Sequence, residues 1–409
     1  MENRLLRPDL LDTESLEQYQ MIGGYKGLLS LKNVKAKEMI EKVEESGLRG
    51  RGGAGFPTYI KWKSVSETKG THYVVINATE GEPDSLKDRY LVSHRPHLII
   101  EGLLIACKAV KSTAAWIVVN EEFSEGISSL AKALKDVRQA NLLGNVDIRI
   151  MTAPHRYVMG EETALLNWVE GKPGKPRFKL HLPVHKGLWE QPTLIQNAET
   201  ISNIPYIFQK GASAYRSLGS EASPGTALFS LQGDVEQPGL YEFPLGTPLI
   251  DLIWAAGGVK DDKEIKAALI GGNFGGFLYG KSLHINLDYE SLKTVGGSLG
   301  CGIVHIFNEE SSVEQAADDV LTFFAEETCG QCGPCHMGTE AMRDELRKYL
   351  KDNSIGIEKL ANYSVALRRK GACGLIDGAS IVAGTIVNYI NENRSDKYEG
   401  SCKSTLMHG

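Results

Sequence analysis

Between residues 73 and 151, short apolar runs alternate with longer segments that are apolar at helical spacing. Residues 73–78, 114–120 and 146–151 are predicted to be strands, and residues 96–111 and 125–137 are predicted to be helices. A strand–helix–strand–helix–strand order predicts a parallel sheet flanked by helices. Because open parallel sheets bind ligands beyond the carboxyl ends of their strands, a site is expected in the segments that follow these strands.

The rest of the chain divides by its composition. A polar arm with a helix predicted over 34–45 precedes the sheet, and a Ser-, Gly- and Ala-rich stretch at 213–225 marks a boundary after it. Short strands and turns from 227 to about 307 indicate a small α+β domain. Helical spacing from 312 to 391 is followed by a polar tail.

Bulk composition argues against several classes of protein. The formal net charge of −6 over 409 residues leaves no basic excess to neutralise phosphates, so a nucleic-acid-binding protein is not expected. The most apolar run, 98–110, contains Glu101 and Lys108 and is too short to span a bilayer. The N-terminus has no apolar signal core. The sequence therefore predicts a cytoplasmic protein without a membrane span, with peripheral attachment to a membrane complex left open.

Three of the seven cysteines lie close together, as Cys329-Gly-Gln-Cys332-Gly-Pro-Cys335. This spacing puts three thiolates around one point, and Cys373 is the natural candidate for a fourth ligand. Three close thiolates and a remote one are a common arrangement for a 4Fe-4S cluster. A structural zinc site also takes four thiolates, usually as two CxxC pairs, and it stays open as an alternative together with chance clustering.

A glycine-rich loop, Gly50-Arg-Gly-Gly-Ala-Gly55, matches the pattern GxGxxG. A dinucleotide-binding loop of this pattern should follow a strand and open a helix, whereas a predicted helix precedes this loop and Phe56-Pro57 follows it. The ordinary Rossmann interpretation therefore fails. Several glycines still let backbone N–H groups converge on phosphate oxygens, and Arg49, Arg51 and Lys61 add positive charge nearby. A plain glycine-rich linker is the alternative.

Polar residues follow the first predicted strand, in the sequence Asn77-Ala-Thr-Glu-Gly-Glu-Pro83. Asn77 offers a donor and an acceptor to the edge of a heterocycle, and Glu80 and Glu82 can accept from ribose hydroxyls. A charged solvent turn is the alternative. Two further polar segments, 160–163 and 196–200, are uninformative alone, since Asn and Thr beside a helix start are usually caps.

Together these segments resemble the NADH-binding flavoprotein subunit of respiratory complex I and its relatives in NAD-linked hydrogenases, formate dehydrogenases and aldehyde oxidoreductases. They follow the family's order between about residues 20 and 390. The matching segments are GLRGRGGAGFPT (47–58) with Lys61-Trp62, EGEP (80–83), KDR (87–89), GEETALL (160–166), GLW (187–189), QNAET (196–200) and CGQCGPC (329–335) with Cys373.

The resemblance implies an α/β Rossmann-like FMN-binding domain with an N-terminal helical arm, a ubiquitin-like β-grasp (SLBB) domain and a C-terminal helical iron–sulfur domain. The expected divisions are an arm at 1–46, the FMN- and NAD-binding domain at 47–222, the SLBB domain at 223–308, the 4Fe-4S domain at 309–392 and a polar tail at 393–409. The implied cofactors are FMN, with FAD left open, a 4Fe-4S cluster and NAD(H).

The resemblance also implies which residues contact the cofactors. The expected flavin contacts are Gly50, Arg51, Gly52, Gly53, Lys61, Asn77, Thr79, Glu80, Gly160, Glu161, Glu162, Asn197 and Thr200. The expected NAD(H) contacts are Phe56, Glu82, Glu162 and Lys179, and the expected metal ligands are Cys329, Cys332, Cys335 and Cys373. No catalytic side chain is expected, because hydride passes directly to the flavin.

Three positions depart from the family's pattern. Thr79 stands where the family usually has an aspartate, so one flavin contact is expected to change. Ser64 and Leu182 stand where it usually has phenylalanines that help to sandwich the adenine, and an aromatic stack contributes about 0.5–1.5 kcal/mol beyond its buried area. Losing both is expected to weaken NADH binding by roughly one to two decades, unless Tyr59 compensates.

The implied activity is that of an NADH dehydrogenase or NAD-reducing oxidoreductase subunit. Hydride would pass between NAD(H) and the flavin, and single electrons between the flavin and the cluster, within a larger redox complex. The implied partners are a thioredoxin-fold 2Fe-2S subunit and a larger iron–sulfur or catalytic subunit. Two alternatives stay open: a relay that has lost nucleotide binding and exchanges electrons only with protein partners, and a zinc-bearing scaffold without redox activity.

Overall fold

The computed structural model describes residues 4–10, 12–178 and 180–405, with residues 394–405 as backbone only. One of its two sheets consists of the strands β1 (Tyr73–Ala78), β2 (Ala114–Asn120), β3 (Asp147–Ala153) and β4 (Thr193–Asn197). Their order is β3-β2-β1-β4, and all three pairings are parallel. We call this unit, with the helices around it, the parallel-sheet domain.

Helices cover both faces of the parallel sheet. Alternate residues of each strand point to opposite sides, so an apolar strand presents apolar side chains on both faces. Val74 and Ile76 belong to one apolar core, with the buried helix 96–110, while Val75 belongs to another, with Leu165 and Leu166. The helices of the arm and of this domain are α1 (Leu16–Met21), α2 (Lys26–Ser30), α3 (Ala36–Ser46), α4 (Thr58–Glu67), α5 (Lys87–His94), α6 (Pro96–Val110), α7 (Ser124–Gln139), α8 (Glu162–Val169), α9 (Ala198–Ser202), α10 (Ile204–Lys210) and α11 (Ala212–Arg216).

The predicted doubly flanked parallel sheet is confirmed. The strands predicted at 73–78 and 114–120 have the observed limits, and the helices predicted at 96–111 and 125–137 are α6 and α7. The sequence pattern did not predict β4 and α5, whose residues include the polar runs QN and KDR. Pairing with β1 gives β4 its strand conformation, although its sequence lacks the long apolar run of its neighbours.

The second sheet lies C-terminal to the first in sequence and forms what we call the mixed-sheet domain. Its strands are β5 (Thr226–Gly233), β6 (Gly239–Pro244), β7 (Ile265–Ile270), β8 (Phe277–Tyr279) and β9 (Ile303–Asn308), and its helices are α12 (Leu249–Ala255) and α13 (Tyr289–Thr294). The order is β6-β5-β9-β7-β8. The first and last strands in sequence, β5 and β9, pair in parallel at the centre, as the expected β-grasp arrangement requires.

Four helices form the third unit, which we call the helical domain. They are α14 (Val313–Glu326), α15 (Gly333–Lys351), α16 (Glu358–Ala366) and α17 (Leu375–Thr405). Leu321, Phe324, Met342 and Ile376 are fully buried between them. Within the described residues, no helix combines the length and the apolar character that crossing a bilayer requires.

The N-terminal arm is fastened to α6 through a buried carboxylate. Glu101 accepts hydrogen bonds from the Tyr19 hydroxyl at 2.5 Å and from the Tyr25 N–H at 2.8 Å. Arg95, at the start of α6, pairs with Glu14 of the arm at 2.9 Å. Because a buried charge is tolerated only when it is paired or hydrogen-bonded, these contacts fix where the arm lies.

Candidate active site

A cavity of about 590 Å³ lies where the three domains meet. Asn77 and Asn197, near the carboxyl ends of β1 and β4, form part of its wall. The mixed-sheet domain contributes loop residues such as Cys301, and the helical domain contributes Cys373. The volume is within the range of about 300–1,000 Å³ that is usual for small-molecule and cofactor sites.

Most residues that the family resemblance implied line this cavity. They are Gly50, Gly52, Gly53, Phe56, Lys61, Asn77, Thr79, Glu80, Glu82, Gly160, Glu161, Glu162, Asn197 and Thr200. Two others are not among the lining residues. The Arg51 side chain points away from the cavity, and Lys179 lies outside the described residues.

The glycine-rich loop closes on itself between α3 and α4. The Gly50 N–H donates to the Phe56 carbonyl at 2.8 Å, and the Thr58 N–H donates to the Leu48 carbonyl at 3.0 Å. Between these bonds, Gly53 has φ +135°, and a Cβ there would meet nothing within 4 Å. The exposed backbone at the tip therefore leaves open space in which N–H groups can approach an anion.

The Arg51 side chain is buried and hydrogen-bonded away from the cavity. Its guanidinium donates to the Tyr215 hydroxyl at 3.0 Å and to the carbonyls of Pro224 and Thr226 at 3.1 and 3.2 Å. These bonds tie the glycine-rich loop to the beginning of the mixed-sheet domain. The guanidinium donors are thus engaged in a buried position on the other side of the loop, and a contact between Arg51 and the flavin stays a prediction.

Lys61 brings a positive charge to the cavity wall beside the loop. It lies on α4 and forms an ion pair with Glu162, the first residue of α8. The two side chains are 25% and 40% exposed, and ion pairs of that kind contribute little to stability. The ammonium group is therefore available to an incoming phosphate at small cost.

Glu161 precedes α8 and acts as its N-cap. Its carboxylate accepts hydrogen bonds from the N–H groups of Thr163 and Ala164 at 2.9 and 2.8 Å. Such a cap typically stabilises a helix by about 1 kcal/mol. Glu161 therefore positions the Gly160-Glu161-Glu162 turn, which forms one wall of the cavity.

Asn77 and Thr79 form a hydrogen-bonded group at the end of β1. Asn77 Nδ2 donates to the Gly160 carbonyl at 3.0 Å, and Thr79 Oγ1 donates to Asn77 Oδ1 at 2.8 Å. An ionised aspartate at position 79 has no proton to donate, so it would repel this oxygen. The departure at Thr79 therefore fixes the orientation of the Asn77 amide.

Glu80 is bonded to the beginning of α5. Its carboxylate accepts hydrogen bonds from the N–H groups of Asp88 and Arg89 at 2.9 and 2.7 Å. Burial, and then the negative charge of Asp88, raise the pKa of Glu80 to about 6. The side chain thus satisfies amides that would otherwise lack partners at the helix N-terminus.

A buried cation, Lys87, lies on the cavity wall, although the sequence alone predicted no role for it. Its ammonium group lies 2.9 Å from Asp88, 3.2 Å from Glu199 and 3.3 Å from the Asn197 amide oxygen. Burial alone would lower the pKa of Lys87, but the Asp88 and Glu199 carboxylates raise it overall. Lys87 therefore stays charged and holds Asn197 in place. The sequence feature that could have indicated this role is the position of Lys87 in the KDR segment.

Glu82 connects the parallel-sheet domain to the mixed-sheet domain. Its carboxylate accepts a hydrogen bond from the Asn273 N–H at 2.6 Å and another from the Tyr157 hydroxyl. Burial raises the pKa of Glu82 to about 7, although these two bonds lower it. A carboxyl group that titrates near neutrality therefore lines the cavity.

Two buried polar atoms on the cavity wall test whether a flavin fits. Thr58 Oγ1 and Gln196 Nε2 have no hydrogen-bond partner among the residues described. Both residues are at least 96% buried and line the cavity, and such polar atoms normally have a partner. A ligand rich in carbonyl, ring nitrogen and phosphate groups would supply the missing partners. The residues present therefore fit the expected flavin.

The four cysteines of the expected cluster lie at the adjoining edge of the helical domain. Burial raises the pKa of Cys335 to about 12, with a smaller contribution from the nearby Cys332, Cys373 and Cys329 thiols. Cys332 is the N-cap of α15, and Cys373 lies just before α17, so two helix N-termini face the group. Positive helix ends stabilise thiolates and an anionic cluster.

The two metal alternatives differ in geometry. Tetrahedral zinc needs four sulfurs about 2.3 Å from one ion, whereas a 4Fe-4S cluster takes one thiolate on each iron and so spreads its ligands farther apart. In the described part of the chain, no three His, Cys, Asp or Glu side chains are gathered closely enough to hold a single metal ion. Gln331, within the cysteine loop, donates to the Pro176 carbonyl at 2.8 Å and joins the loop to the parallel-sheet domain.

The positions expected to surround the adenine are open. Phe56 and Leu182 are 46% and 61% exposed. Ser64 Oγ donates to the Ile60 carbonyl of its own helix at 2.8 Å, and Tyr59 packs against the apolar core. Neither Ser64 nor Tyr59 therefore replaces an aromatic stacking surface in this conformation.

Comparisons with known proteins agree with this geometry. Residues 43–206 match the Nuo51 FMN-binding domain, residues 228–276 the SLBB domain, and residues 315–396 the iron–sulfur binding region of NADH-ubiquinone oxidoreductase-F. The chain is 36% identical to the F subunit of the NADH-quinone oxidoreductase of Streptomyces coelicolor, over 94% of this chain and 88% of that protein. The chain belongs to the same flavoprotein family as that F subunit.

Hydrogenase subunits belong to the same group of relatives. The NADP-reducing hydrogenase subunit HndC of Solidesulfovibrio fructosivorans is 36% identical, over 89% of this chain and 77% of that protein. A crystal structure of an NAD+-reducing NiFe hydrogenase in the H2-reduced state superposes with a TM-score of 0.80 and 31% identity. That match covers 91% of this chain and 63% of the hydrogenase chain, so the hydrogenase chain contains regions that have no counterpart here.

These matches confirm the resemblance, the fold class, and FMN and an iron–sulfur cluster as cofactors. They also confirm that the chain is an electron-transfer subunit of the oxidoreductase class. The individual contact residues and the domain limits stay predictions.

Proposed function

We propose that this chain moves a hydride between NAD(H) and bound FMN, and single electrons between the FMN and a 4Fe-4S cluster. The flavin would lie in the 590 Å³ cavity, and Cys329, Cys332, Cys335 and Cys373 would hold the cluster. The observation that carries the proposal is that Cys373 lines the same cavity as the glycine-rich loop and the orphaned Gln196 amide. The two cofactors would thus share one wall.

When bound, the flavin supplies the ability to accept a hydride and to release its electrons singly. The protein positions the flavin and the nucleotide and excludes water. Lys61 and the Gly53 backbone would hold the phosphate. Lys87 keeps Asn197 at the end of β4, and the Gly160 turn closes the opposite side. Glu82 and Glu162 would orient the nucleotide, and no side chain acts as a general base.

The parent complex sets the direction of electron flow, and the relatives belong to more than one. We propose that a thioredoxin-fold 2Fe-2S subunit and a larger iron–sulfur or catalytic subunit are the partners, because one cluster motif is visible in this chain. A cytoplasmic protein at the periphery of such a complex fits the free thiols among the described cysteines. The alternative of a relay without nucleotide binding finds no support in the comparisons.

Turnover of the loaded protein with NADH and an artificial acceptor tests the proposal. Replacement of Glu162 by alanine is expected to raise the apparent KM for NADH by about tenfold or more, since a charge-assisted hydrogen bond contributes about 1.5–3 kcal/mol. The flavin spectrum should not change. An E162A variant that loses its flavin, or that keeps the wild-type KM, would contradict the assigned role.

A further inference from the structure

The segment between α8 and β4 is basic, although the chain as a whole has a net charge of −6. Residues 171–189 contain no aspartate and no glutamate. Their lysines and arginines are Lys172, Lys175, Arg177, Lys179 and Lys186, of which Lys179 lies outside the described residues. We call residues 175–187 the basic strap. Its charge is opposite to that of the rest of the chain.

The basic strap connects two elements that form the wall of the cavity. At its beginning, the Arg177 N–H donates to Thr163 Oγ1 at 2.8 Å, in the first turn of α8. Toward its end, His185 Nδ1 lies 3.2 Å from Thr68 Oγ1, directly after α4. These two helices contribute to the cavity wall the side chains of Glu162 and Lys61. The strap therefore borders the cavity on the side of that ion pair.

The strap is held as a closed loop by its own arginine. The Arg177 guanidinium donates to the Gly187 carbonyl at 3.0 Å and to Asn167 Oδ1 at 2.8 Å. It also lies 2.8 Å from the Glu170 carboxylate, which pairs with Lys172 at 2.6 Å. One carboxylate thus faces two cations, and the arginine serves mainly to shape the loop.

Two lysines of the strap have no opposite charge beside them. Lys175 and Lys186 are exposed, and neither forms an ion pair within the part of the chain that the structure describes. The acidic residues that flank the segment in sequence are Glu170, which is already paired, and the exposed Glu190. The strap therefore keeps a positive balance, and its field extends into the solvent around the cavity.

The facing helix adds to this field, since residues 58–70 contain three lysines and one glutamate. A dinucleotide that approaches the cavity is an anion, because its pyrophosphate carries two negative charges. A phosphate on the 2′-hydroxyl adds a further charge of about −1.5 to −2 at pH 7. Positive surfaces beside a cleft raise the association rate constants of anionic ligands by about 10–10³-fold. The gain increases with the charge of the ligand.

We propose that the basic strap recruits dinucleotides to the cavity by long-range attraction and favours the 2′-phosphorylated dinucleotide at the association step. This inference rests on the proposed function, because it requires a pyridine dinucleotide as the substrate. The strap takes no part in the hydride step, since neither Lys175 nor Lys186 lines the cavity. It acts on the capture of the nucleotide and not on the reaction that follows.

Stopped-flow reduction of the loaded full chain separates capture from chemistry. Far below saturation, the rate of flavin bleaching gives the second-order rate constant for capture, and saturating nucleotide gives the limiting rate. The wild type is compared with K175Q/K186Q and with the matched variant K132Q/K135Q, which removes the same charge from exposed positions of α7. NADH and NADPH are each measured at about 0.01 M and 0.5 M salt, where the screening lengths are about 30 Å and 3–5 Å.

At low salt, K175Q/K186Q is expected to capture NADH about three- to tenfold more slowly than the control, and NADPH by a larger factor. Both differences should vanish at high salt, whereas the limiting rates should agree throughout. K175E/K186E reverses both charges and should lower the low-salt rate constants further. Equal rate constants for the strap variant and the control, or a loss of the same size for NADH and NADPH, would overturn the proposal.

A second measurement applies if neither nucleotide reduces the wild-type flavin, in which case the proposed hydride transfer fails. ADP-ribose and its 2′-phosphate carry the same phosphates without redox chemistry, and surface plasmon resonance gives their association rate constants with the loaded protein. A low-salt advantage of the 2′-phosphate that K175Q/K186Q loses would show that the strap still recruits such ligands. Equal association rate constants for K175Q/K186Q and the control would show that the recruitment fails as well.

Discussion

The Glu82 carboxylate accepts a hydrogen bond from the backbone N–H of Asn273 at 2.6 Å, across 191 residues of sequence. This bond joins the segment after β1 to the mixed-sheet domain, and both residues belong to the loops around the cavity. The neighbouring Gly272 has φ +74°, a backbone conformation that favours glycine, and a Cβ there would lie 2.7 Å from the same carboxylate. The cavity therefore depends on the second domain for one of its walls.

Stability should depend on the protonation of Glu82. Its pKa rises from 4.5 to about 7 on folding, so the folded state binds more protons than the unfolded state between these values. The free energy of unfolding therefore falls as pH rises from about 4.5 to about 7. Glu82→Gln removes this loss, so the free energy of unfolding of flavin-free E82Q should exceed that of the wild type by about 3 kcal/mol at pH 8 but by little at pH 5. Denaturant unfolding at both pH values measures this difference in the free energy of unfolding.

The control for that measurement is Glu121→Gln, at an exposed glutamate that forms no described side-chain bond. It should leave the pH dependence unchanged. If E82Q and wild type have the same pH dependence, Glu82 does not titrate near neutrality in the folded protein.

Lys61 should contribute to flavin affinity. Its ammonium lies beside the glycine-rich loop and is engaged only by the partly exposed Glu162 among the described residues. Lys61→Gln is expected to raise the Kd of FMN by about tenfold or more, because a charge-assisted hydrogen bond to phosphate is lost. Fluorescence titration of the apoprotein gives this value. Lys63→Gln, at an exposed position on the same helix, should bind FMN like the wild type.

Cys373 and Cys301 offer a matched test of the cluster ligands, since both cysteines line the cavity. Cys373→Ala should lose the cluster, seen as loss of bound iron and sulfide, because only three thiolates remain. The variant should keep its FMN. Cys301→Ala should keep both cofactors. Retention of iron by C373A, or its loss from C301A, would contradict the proposed ligand set.

Restoring an aromatic side chain at position 182 should strengthen nucleotide binding. Leu182 is 61% exposed, so a phenylalanine there finds room without displacing the core. One aromatic stack contributes about 0.5–1.5 kcal/mol, so the KM for NADH of Leu182→Phe should fall by about two- to tenfold. Leu180→Phe, at a position that is 85% exposed, is the control and should not change it. Equal KM values for the two variants would place the adenine elsewhere.

The sequence predicted those parts of the fold that depend on the local hydrophobic pattern. Strands β1 and β2 are continuous apolar runs buried on both faces, and their limits agree with the structure. Strand β4 contains Gln196 and Asn197 and gave no such signal, because only pairing with β1 makes it a strand. Helix α5 begins with Lys87 and Asp88, whose charges are tolerated in the interior only because Glu199 of α9 and Asn197 of β4 reach them.

The candidate site was predictable to the extent that family motifs carried it. The sequence could not predict those features of the site that depend on contacts between residues far apart in the chain. Arg51 belongs to the loop motif, yet its side chain bonds Thr226, 175 residues away, and leaves the cavity. Cys301 and Phe274 line the cavity from the mixed-sheet domain, and no local pattern connects them to a flavin. Position relative to a second domain is a tertiary property.

An anaerobic titration of the loaded protein with NADH tests the proposed hydride and electron transfer most directly. Absorbance follows the flavin band, and low-temperature electron paramagnetic resonance follows the cluster in the same samples. Substoichiometric NADH should bleach the flavin and produce the signal of a reduced 4Fe-4S cluster that disappears in Cys373→Ala. A flavin that dithionite reduces but NADH leaves unchanged would contradict the nucleotide-linked function and favour a relay between protein partners.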